Sequence, residues 1–352
     1  MTTLLHFASV NSISHFISDR LGETKIGQQL LLPSRSDLNS ILDDFKARGA
    51  KFVLLGIPED IGPRANLGRG GSTDGWNAFL SRFLNLQQNA FIRSEEIGLL
   101  GHIITNDLQQ QSANLDLTNE GDLATIRNLV SQLDERVTAA IKAIGERGLM
   151  PVVIGGGHNN AYGILRGMSE AINKPMAAIN LDPHTDFRNL EGRHSGNGFS
   201  YAASENYLSH YFSLGMHELK NSAANIKSLN QHHFPYVSYQ QIYVRREMTF
   251  AQAIDDALCY LGDCHAPVGI ELDVDAISFM PASAYTNVGV ELTDAQFYVH
   301  SIAQLRQASY LHLAEGAPSQ HPAGMEAGIS DVGQGTAALV CSFIQSKQDI
   351  GE

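Results

Sequence analysis

Several things are scarce in this chain of 352 residues, and each scarcity excludes something. It has three cysteines, one tryptophan, and 24 lysine and arginine residues against 37 acidic ones. Cys259, Cys264 and Cys341 make no even disulfide framework, and the Cys-x4-Cys spacing of the first two lacks the second pair a zinc module needs. They read as free thiols in a reducing compartment. The net charge of −13 argues against nucleic acid and anionic membrane surfaces, which select basic patches. Nowhere is there an apolar run of the ~18 residues that spans a bilayer. Met1-Thr-Thr-Leu-Leu-His-Phe shows no basic stretch followed by an apolar core and a small-residue cleavage site, so a cytoplasmic location is expected. What remains is a globular composition, 43% hydrophobic and 17% charged, on a chain long enough for one large α/β domain.

Short apolar runs alternate with helical patterns from about residue 50 onward. Strands are expected at Lys51–Ile57, Met150–Ile154, Met176–Leu181, Tyr211–Met216, Val268–Asp273 and Tyr310–Ala314. Helices are expected at Asp74–Asn85, Thr118–Arg147, Asn160–Ala171, Thr249–Gly262, Thr293–Ala308 and Gly333–Ser346. Continuous apolar strands separated by helices predict a mostly parallel sheet covered on both faces. No repeat or Pro-rich linker divides the chain. Residues 47–352 are read as one domain, and residues 1–46 as a helical extension with no sheet strand, placed at a subunit contact.

Three of the expected strands end in polar clusters, at the end of a parallel sheet where ligands bind. Val152-Val-Ile-Gly-Gly-Gly runs into His158. Asn180-Leu runs into Asp182-Pro-His184-Thr-Asp186, and Val268-Gly-Ile-Glu-Leu runs into Asp273-Val-Asp275. In an extended segment, residues two apart point to the same side, so each cluster would converge on a point. Four carboxylates and two imidazoles crowded together repel one another unless a divalent metal neutralises them. An oxygen-rich set with a minority of nitrogens suits Mn²⁺ better than structural zinc. Six such ligands can hold two ions about 3.5–4 Å apart, a pair that lowers the pKa of a shared water towards neutrality. A lone Asp-x-His is more often a loop or cap; three coordinated clusters are not. Gly155-Gly-Gly157 lacks the Lys-Ser/Thr of a phosphate loop and is read as a sharp turn that aims His158 at the ions. Gly333-Gln-Gly335 imitates a dinucleotide fingerprint but lies too close to the C-terminus, and is read as a helix start.

Together, Gly-Gly-x-His, Asp-x-His-x-Asp and Asp-x-Asp resemble the arginase/agmatinase/formimidoylglutamase (ureohydrolase) family from about residue 50 onward. The resemblance implies a three-layer α/β/α fold around an eight-stranded parallel sheet, and two Mn²⁺ ions per subunit. It also implies hydrolysis of a C–N bond in a guanidine or amidine, and assembly into homo-trimers or hexamers. His158, Asp182, Asp186 and Asp273 would hold one ion and Asp182, His184, Asp273 and Asp275 the other, with Asp182 and Asp273 bridging. Asp186 would also pass a proton to the leaving amine, and Glu315, in Leu-Ala-Glu-Gly-Ala-Pro, would contact the amidinium.

Within that family the formimidoylglutamase branch is the nearest likeness. Gly62-Pro-Arg-Ala-Asn66-Leu-Gly68-Arg69-Gly-Gly71 resembles its substrate loop. Asp186-Phe-Arg188 places an arginine where arginases carry a carboxylate-binding Asn. His194-Ser195-Gly196-Asn197-Gly198-Phe199 resembles the branch as well, with Phe199 where arginases have a proton-shuttling His. Arg188, with Arg69, Asn66, Ser195 and Asn197, would hold substrate carboxylates, a task suited to the forked donors of arginine; pairing with protein carboxylates is the plainer alternative for both arginines. The expectation is a small amidine substrate, N-formimidoyl-L-glutamate, cleaved to glutamate and formamide. A guanidino compound releasing urea is one alternative, and a catalytically silent family member with a regulatory role is another. Two departures stand out. Gly157 replaces the family's usual Asp, and Glu271 replaces the usual Ser of Ser-x-Asp-x-Asp, with a role the sequence leaves open.

Overall fold

The computed structural model describes residues 4–349. Among them a nine-stranded sheet runs through the molecule: β1 (Leu5–Phe7), β2 (Phe52–Gly56), β3 (Ile97–Ile103), β4 (Met150–Ile154), β5 (Met176–Leu181), β6 (Leu208–Met216), β7 (Tyr236–Ser238), β8 (Val268–Asp273) and β9 (Ala308–Ala314). Their order is β1-β3-β2-β4-β9-β8-β5-β6-β7. Every pairing is parallel except that of β1 with β3.

The apolar strands feed two cores by simple alternation. Phe52, Leu54, Val152, Ile154, Ala177, Ile179 and Leu181 enter one core; Val53, Leu55, Val153, Met176 and Ala178 enter the other. On the first face lie the helices Gly75–Phe83, Phe250–Asp263, Leu292–Ala303 and Met325–Asp349; on the second lie Leu38–Ala47, Glu120–Gly145 and Asn160–Ile172. Burial on both faces explains why the strands read as unbroken hydrophobic runs. The result is the expected three-layer α/β/α architecture.

The differences from the sequence reading have local causes. β3, Ile97-Gly-Leu-Leu-Gly-His-Ile, was not expected, because two glycines interrupt its pattern. Both are there for close approach. A Cβ on Gly98 would lie 2.5 Å from the Phe45 ring, and one on Gly101, at φ +125°, 2.0 Å from the His6 carbonyl. The second contact belongs to β1, so the first 46 residues contribute an edge strand as well as helix Leu38–Ala47. Three residues are too few to show periodicity, as they are also in β7. Gly333 and Gly335 do not start a helix; they lie inside Met325–Asp349. A Cβ on Gly333 would meet the Ala78 carbonyl at 2.3 Å, so this glycine lets two helices pack closely.

Candidate metal centre

The four central strands β4, β9, β8 and β5 are neighbours, and their carboxyl ends deliver the candidate site. His158 follows β4, Glu315 follows β9, Asp273 ends β8 and Asp182 follows β5. Gly155 and Gly156 take φ of +89° and +72°, which turns the chain back so that His158 faces the carboxylates, as the glycine run predicted.

Two groups of ligand atoms overlap there. One comprises His158, Asp182, Asp186 and Asp273; the other comprises Asp182, His184 and Asp275. Asp182 belongs to both, while Asp273 falls in the first. His158 Nδ1 lies 3.3 Å from Asp182, 3.1 Å from Asp186 and 3.6 Å from Asp273. His184 Nδ1 lies 3.3 Å from Asp182 and 3.2 Å from Asp275.

The convergence arises differently from the alternation that suggested it. β5 ends at Leu181, and Asp182 instead closes a turn by accepting the His184 backbone N–H at 2.6 Å. Asp273 repeats the device, accepting from the Asp275 N–H at 2.9 Å. These are Asx turns, in which a side chain replaces a backbone acceptor. Asp186 then takes φ +46°, a left-handed conformation that breaks any two-residue rhythm. Glu315 is held at φ +67°. Two non-glycine carboxylates in this region at one site mark strain of about 1–3 kcal/mol each that the surroundings must impose.

The electrostatics show what is missing from protein atoms alone. Burial would keep the His158 and His184 rings neutral, yet the carboxylates around them outweigh it and raise both well above the ordinary histidine value. Burial, then the charge of Asp182, pushes Asp186 up to about 6. Burial and the charges of Asp275 and Asp182 push Asp273 well up, whereas the two histidines draw Asp182 down in spite of its burial. Without a cation, protons must hold this cluster together. His158 Nδ1 and Asp275 Oδ1 are buried and make no hydrogen bond, and the donor spacings approach the ~3 Å separation of neighbouring ligand atoms bonded at about 2.1 Å to one ion. The donor set therefore fits divalent cations, hard oxygens with two imidazoles.

The expected substrate residues form a second cluster beside Asp186. Arg188 N–H donates to the Gly196 carbonyl at 3.0 Å, and Asn66 Nδ2 lies 3.4 Å from Ser195 Oγ. A Cβ on Gly196 would be 2.8 Å from Arg188 Cδ and 2.9 Å from Asn66 Nδ2, so the missing side chain is what lets these three meet. The Arg188 side chain is 51% exposed, with its nearest carboxylate, Glu191, at 4.0 Å. Arg69 is exposed on the same loop as Asn66. Asn197 is committed elsewhere: it accepts from Arg193 and the His194 N–H, and donates to the Asn189 and Gly192 carbonyls. Arg193 in turn pairs with buried Asp134 and lies over the rings of Tyr162 and Tyr201. Phe199 is buried, edge-on to the His158 ring with centroids 5.3 Å apart. Glu315 accepts from the His158 N–H at 2.9 Å and from Ser283 Oγ, and burial pushes it up to about 8.

Two buried groups escaped the sequence reading. Glu59 accepts the N–H groups of Gly157 and Gly62 and the amide of Asn160, tying the loop after β2 to the His158 loop. Its only sequence signal is a carboxylate three residues past the end of a buried strand. His312, in the middle of β9, pairs with Glu271 at 2.6 Å. Gly157, where an Asp was expected, has no room for one, since a Cβ there would lie 2.3 Å from Pro63 Cδ.

Two overlapping ligand sets at the carboxyl end of a parallel sheet define a protein built around a binuclear metal centre. The arginase family model matches residues 50–347, and the chain belongs to the arginase family. It is similar, at 26% identity over 355 residues covering 96% of this chain and 95% of the relative, to a formimidoylglutamase of Streptococcus pyogenes. Among solved structures it is similar to a Trypanosoma cruzi formiminoglutamase with Mn²⁺ (19% identity, 92% of this chain and 98% of that one, TM-score 0.68). A formimidoylglutamase from Bacillus subtilis matches at 15% identity, 94% of each chain and TM-score 0.72. Among the described residues no helix is long and apolar enough to cross a membrane.

Proposed function

We propose that this protein hydrolyses a small amidine bearing carboxylates, N-formimidoyl-L-glutamate, to L-glutamate and formamide, with two Mn²⁺ ions per subunit. The observation that carries the substrate assignment is the half-exposed Arg188 guanidinium, gathered with Asn66 and Ser195 around Gly196 and two residues after Asp186 in the sequence. A forked guanidinium matches a carboxylate in bidentate geometry. Relatives named formimidoylglutamase or formiminoglutamase, one of them with Mn²⁺, support both the substrate and the metal.

Bound ions supply Lewis acidity and a water of lowered pKa. His158, Asp182, Asp186 and Asp273 would hold one of them, and Asp182, His184 and Asp275, with Asp273, the other. Arg188, aided by Asn66, Ser195 and Arg69, orients the substrate through its carboxylates, while Asn197 keeps their loop in shape. Asp186, strained and buried, would hold a proton and release it to the departing nitrogen. Glu315 faces the amidinium, whose positive charge favours its ionised form. Three free cysteines suit a reducing cytoplasm, and a homo-oligomer is the expected assembly.

Purified protein loaded with Mn²⁺ is expected to release formamide from N-formimidoyl-L-glutamate. Urea released from a guanidino compound instead would overturn the substrate, and a protein that retains no metal would point to a silent relative. Arg188→Ala is expected to raise KM at least ~10-fold, about 1.4 kcal/mol of binding, with bound manganese unchanged. An unaltered KM would remove Arg188 as the anchor.

A further inference from the structure

Behind His158, on the side away from the aspartates, lies a second buried cluster. Glu271 on β8 and His312 on β9 are register partners across the parallel pair. Glu271 Oε2 is 2.6 Å from His312 Nδ1 and 3.3 Å from His158 Nε2, and Tyr310 donates its hydroxyl to Oε1 at 2.7 Å. His158, Glu271, His312 and Tyr310 are all 0% exposed.

The geometry separates a hydrogen-bonded array from a further metal position. Two atoms bonded to one ion at about 2.1 Å stand roughly 3 Å apart, so the 2.6 Å contact between Glu271 and His312 is a hydrogen bond. His312 Nε2 is buried without a partner. A neutral ring carrying its hydrogen on Nδ1 leaves only an unpaired acceptor there, whereas a charged ring would bury an unpaired N–H. Glu271 is therefore the charged member and accepts from three donors: His312 Nδ1–H, Tyr310 O–H and His158 Nε2–H. With one hydrogen kept on Nε2, His158 can give up only its Nδ1 proton when a cation binds, so the lone pair it then offers is the one aimed between Asp182, Asp186 and Asp273. Any acceptor would orient the ring; a full negative charge also makes Nδ1 a stronger donor to a cation. His184, by contrast, has a side chain 31% exposed.

We infer that Glu271, held by His312 and Tyr310, is a positioning residue that fixes the tautomer of His158 and selectively tightens the metal ion at the His158 end of the centre. The inference rests on the two-ion reading proposed above. It also gives the departure from the family's usual Ser a chemical role.

Glu271→Gln keeps the size and the acceptor but removes the charge. Metal-free wild type and variant would be titrated with Mn²⁺ by calorimetry, with electron paramagnetic resonance distinguishing coupled from isolated ions. The variant is expected to bind one ion ~10–100-fold more weakly and the other unchanged, so that isolated Mn²⁺ accumulates at sub-saturating metal. His312→Gln should weaken the same ion by less, and combining it with Glu271→Gln should add nothing, because His312 acts through Glu271. Equal affinities in wild type and Glu271→Gln, or an equal loss at both ions, would overturn the inference. Should Glu271→Gln fail to fold, Tyr310→Phe, which cuts one hydrogen bond to Glu271, decides: no selective weakening overturns it. Wild type that binds fewer than two ions would remove the two-ion reading itself, and this inference with it.

Discussion

His158 and His184 approach the same carboxylate cluster from opposite ends, and the protein treats the two ends differently. His158 is wholly buried, turned inward by two glycines in the left-handed region, with Glu271 behind its ring and Phe199 at its edge. His184 sits in an open turn, 31% exposed, held by the Asx turn of Asp182 and by hydrogen bonds of its neighbours: the Thr185 N–H donates to Asn221 Oδ1, and the Asn221 amide and the Tyr211 hydroxyl donate to the Pro183 and Thr185 carbonyls. The first end is backed by Glu271 and His312, which neighbouring strands hold in register. The second is shaped by loop residues at the mouth, where an ion or substrate can exchange with solvent. Rigidity sits where orientation matters, and openness where traffic must pass.

The strongest way to break this comparison is to remove the residue both ends share. Asp182→Asn should abolish stable binding of both ions and lower activity by about 10³-fold or more, the scale of losing metal-assisted catalysis; metal content by mass spectrometry and turnover together check it. Retention of two ions would mean that Asp182 does not bridge. A smaller contrast separates the two histidines. His158→Ala empties a buried pocket against Phe199 and should cost about 2–4 kcal/mol of metal-free stability besides an ion. His184→Ala should cost the other ion with a stability change under about 1 kcal/mol. Equal thermal losses in the two metal-free variants would deny the asymmetry.

The smallest effect is a pH dependence. In the metal-free protein Asp186 is pushed up from 3.8 to about 6 and Glu315 from 4.5 to about 8. A group whose folded pKa is raised stabilises fully below its unfolded value, and that contribution is lost as pH rises through the folded value. The raised histidines and Asp273 act in the same direction. Metal-free protein should therefore lose stability between about pH 4 and pH 8 relative to the Mn²⁺-loaded protein, in which cations replace the protons. The gap in melting temperature between the two forms should widen with pH. Comparing loaded with stripped protein cancels distant groups such as His102, which burial pushes down to about 4. A gap that stays constant would show that these carboxylates do not share protons in the metal-free cluster.

Much of the centre was legible in the chain because metal ligands announce themselves. Asp182, His184 and Asp186, and Asp273 with Asp275, are chemically costly to bury and recur at short spacing after apolar strands. Alternation along an extended segment predicts the convergence of these side chains, whereas the fold achieves it with Asx turns and a left-handed Asp186. For that reason Arg188 does not continue the ligand face; it joins Asn66 and Ser195 instead. Asn197 reads like a substrate contact in the sequence, but its amide is consumed by Arg193, His194 and two carbonyls. β3 stayed hidden because its glycines answer to Phe45 and His6, residues distant in sequence.

The sequence by itself determined the α/β/α layering and the six candidate ligands, since apolar periodicity and buried charge are local signals. Only the tertiary structure decided what stands behind them. Glu271 and His312 are neighbours solely because β8 and β9 pair in register, and Gly157 excludes an Asp because Pro63, together with the Asn159 side chain, fills its space. Contacts of that kind depend on strand order and on close packing across the sheet, which no spacing along the chain records.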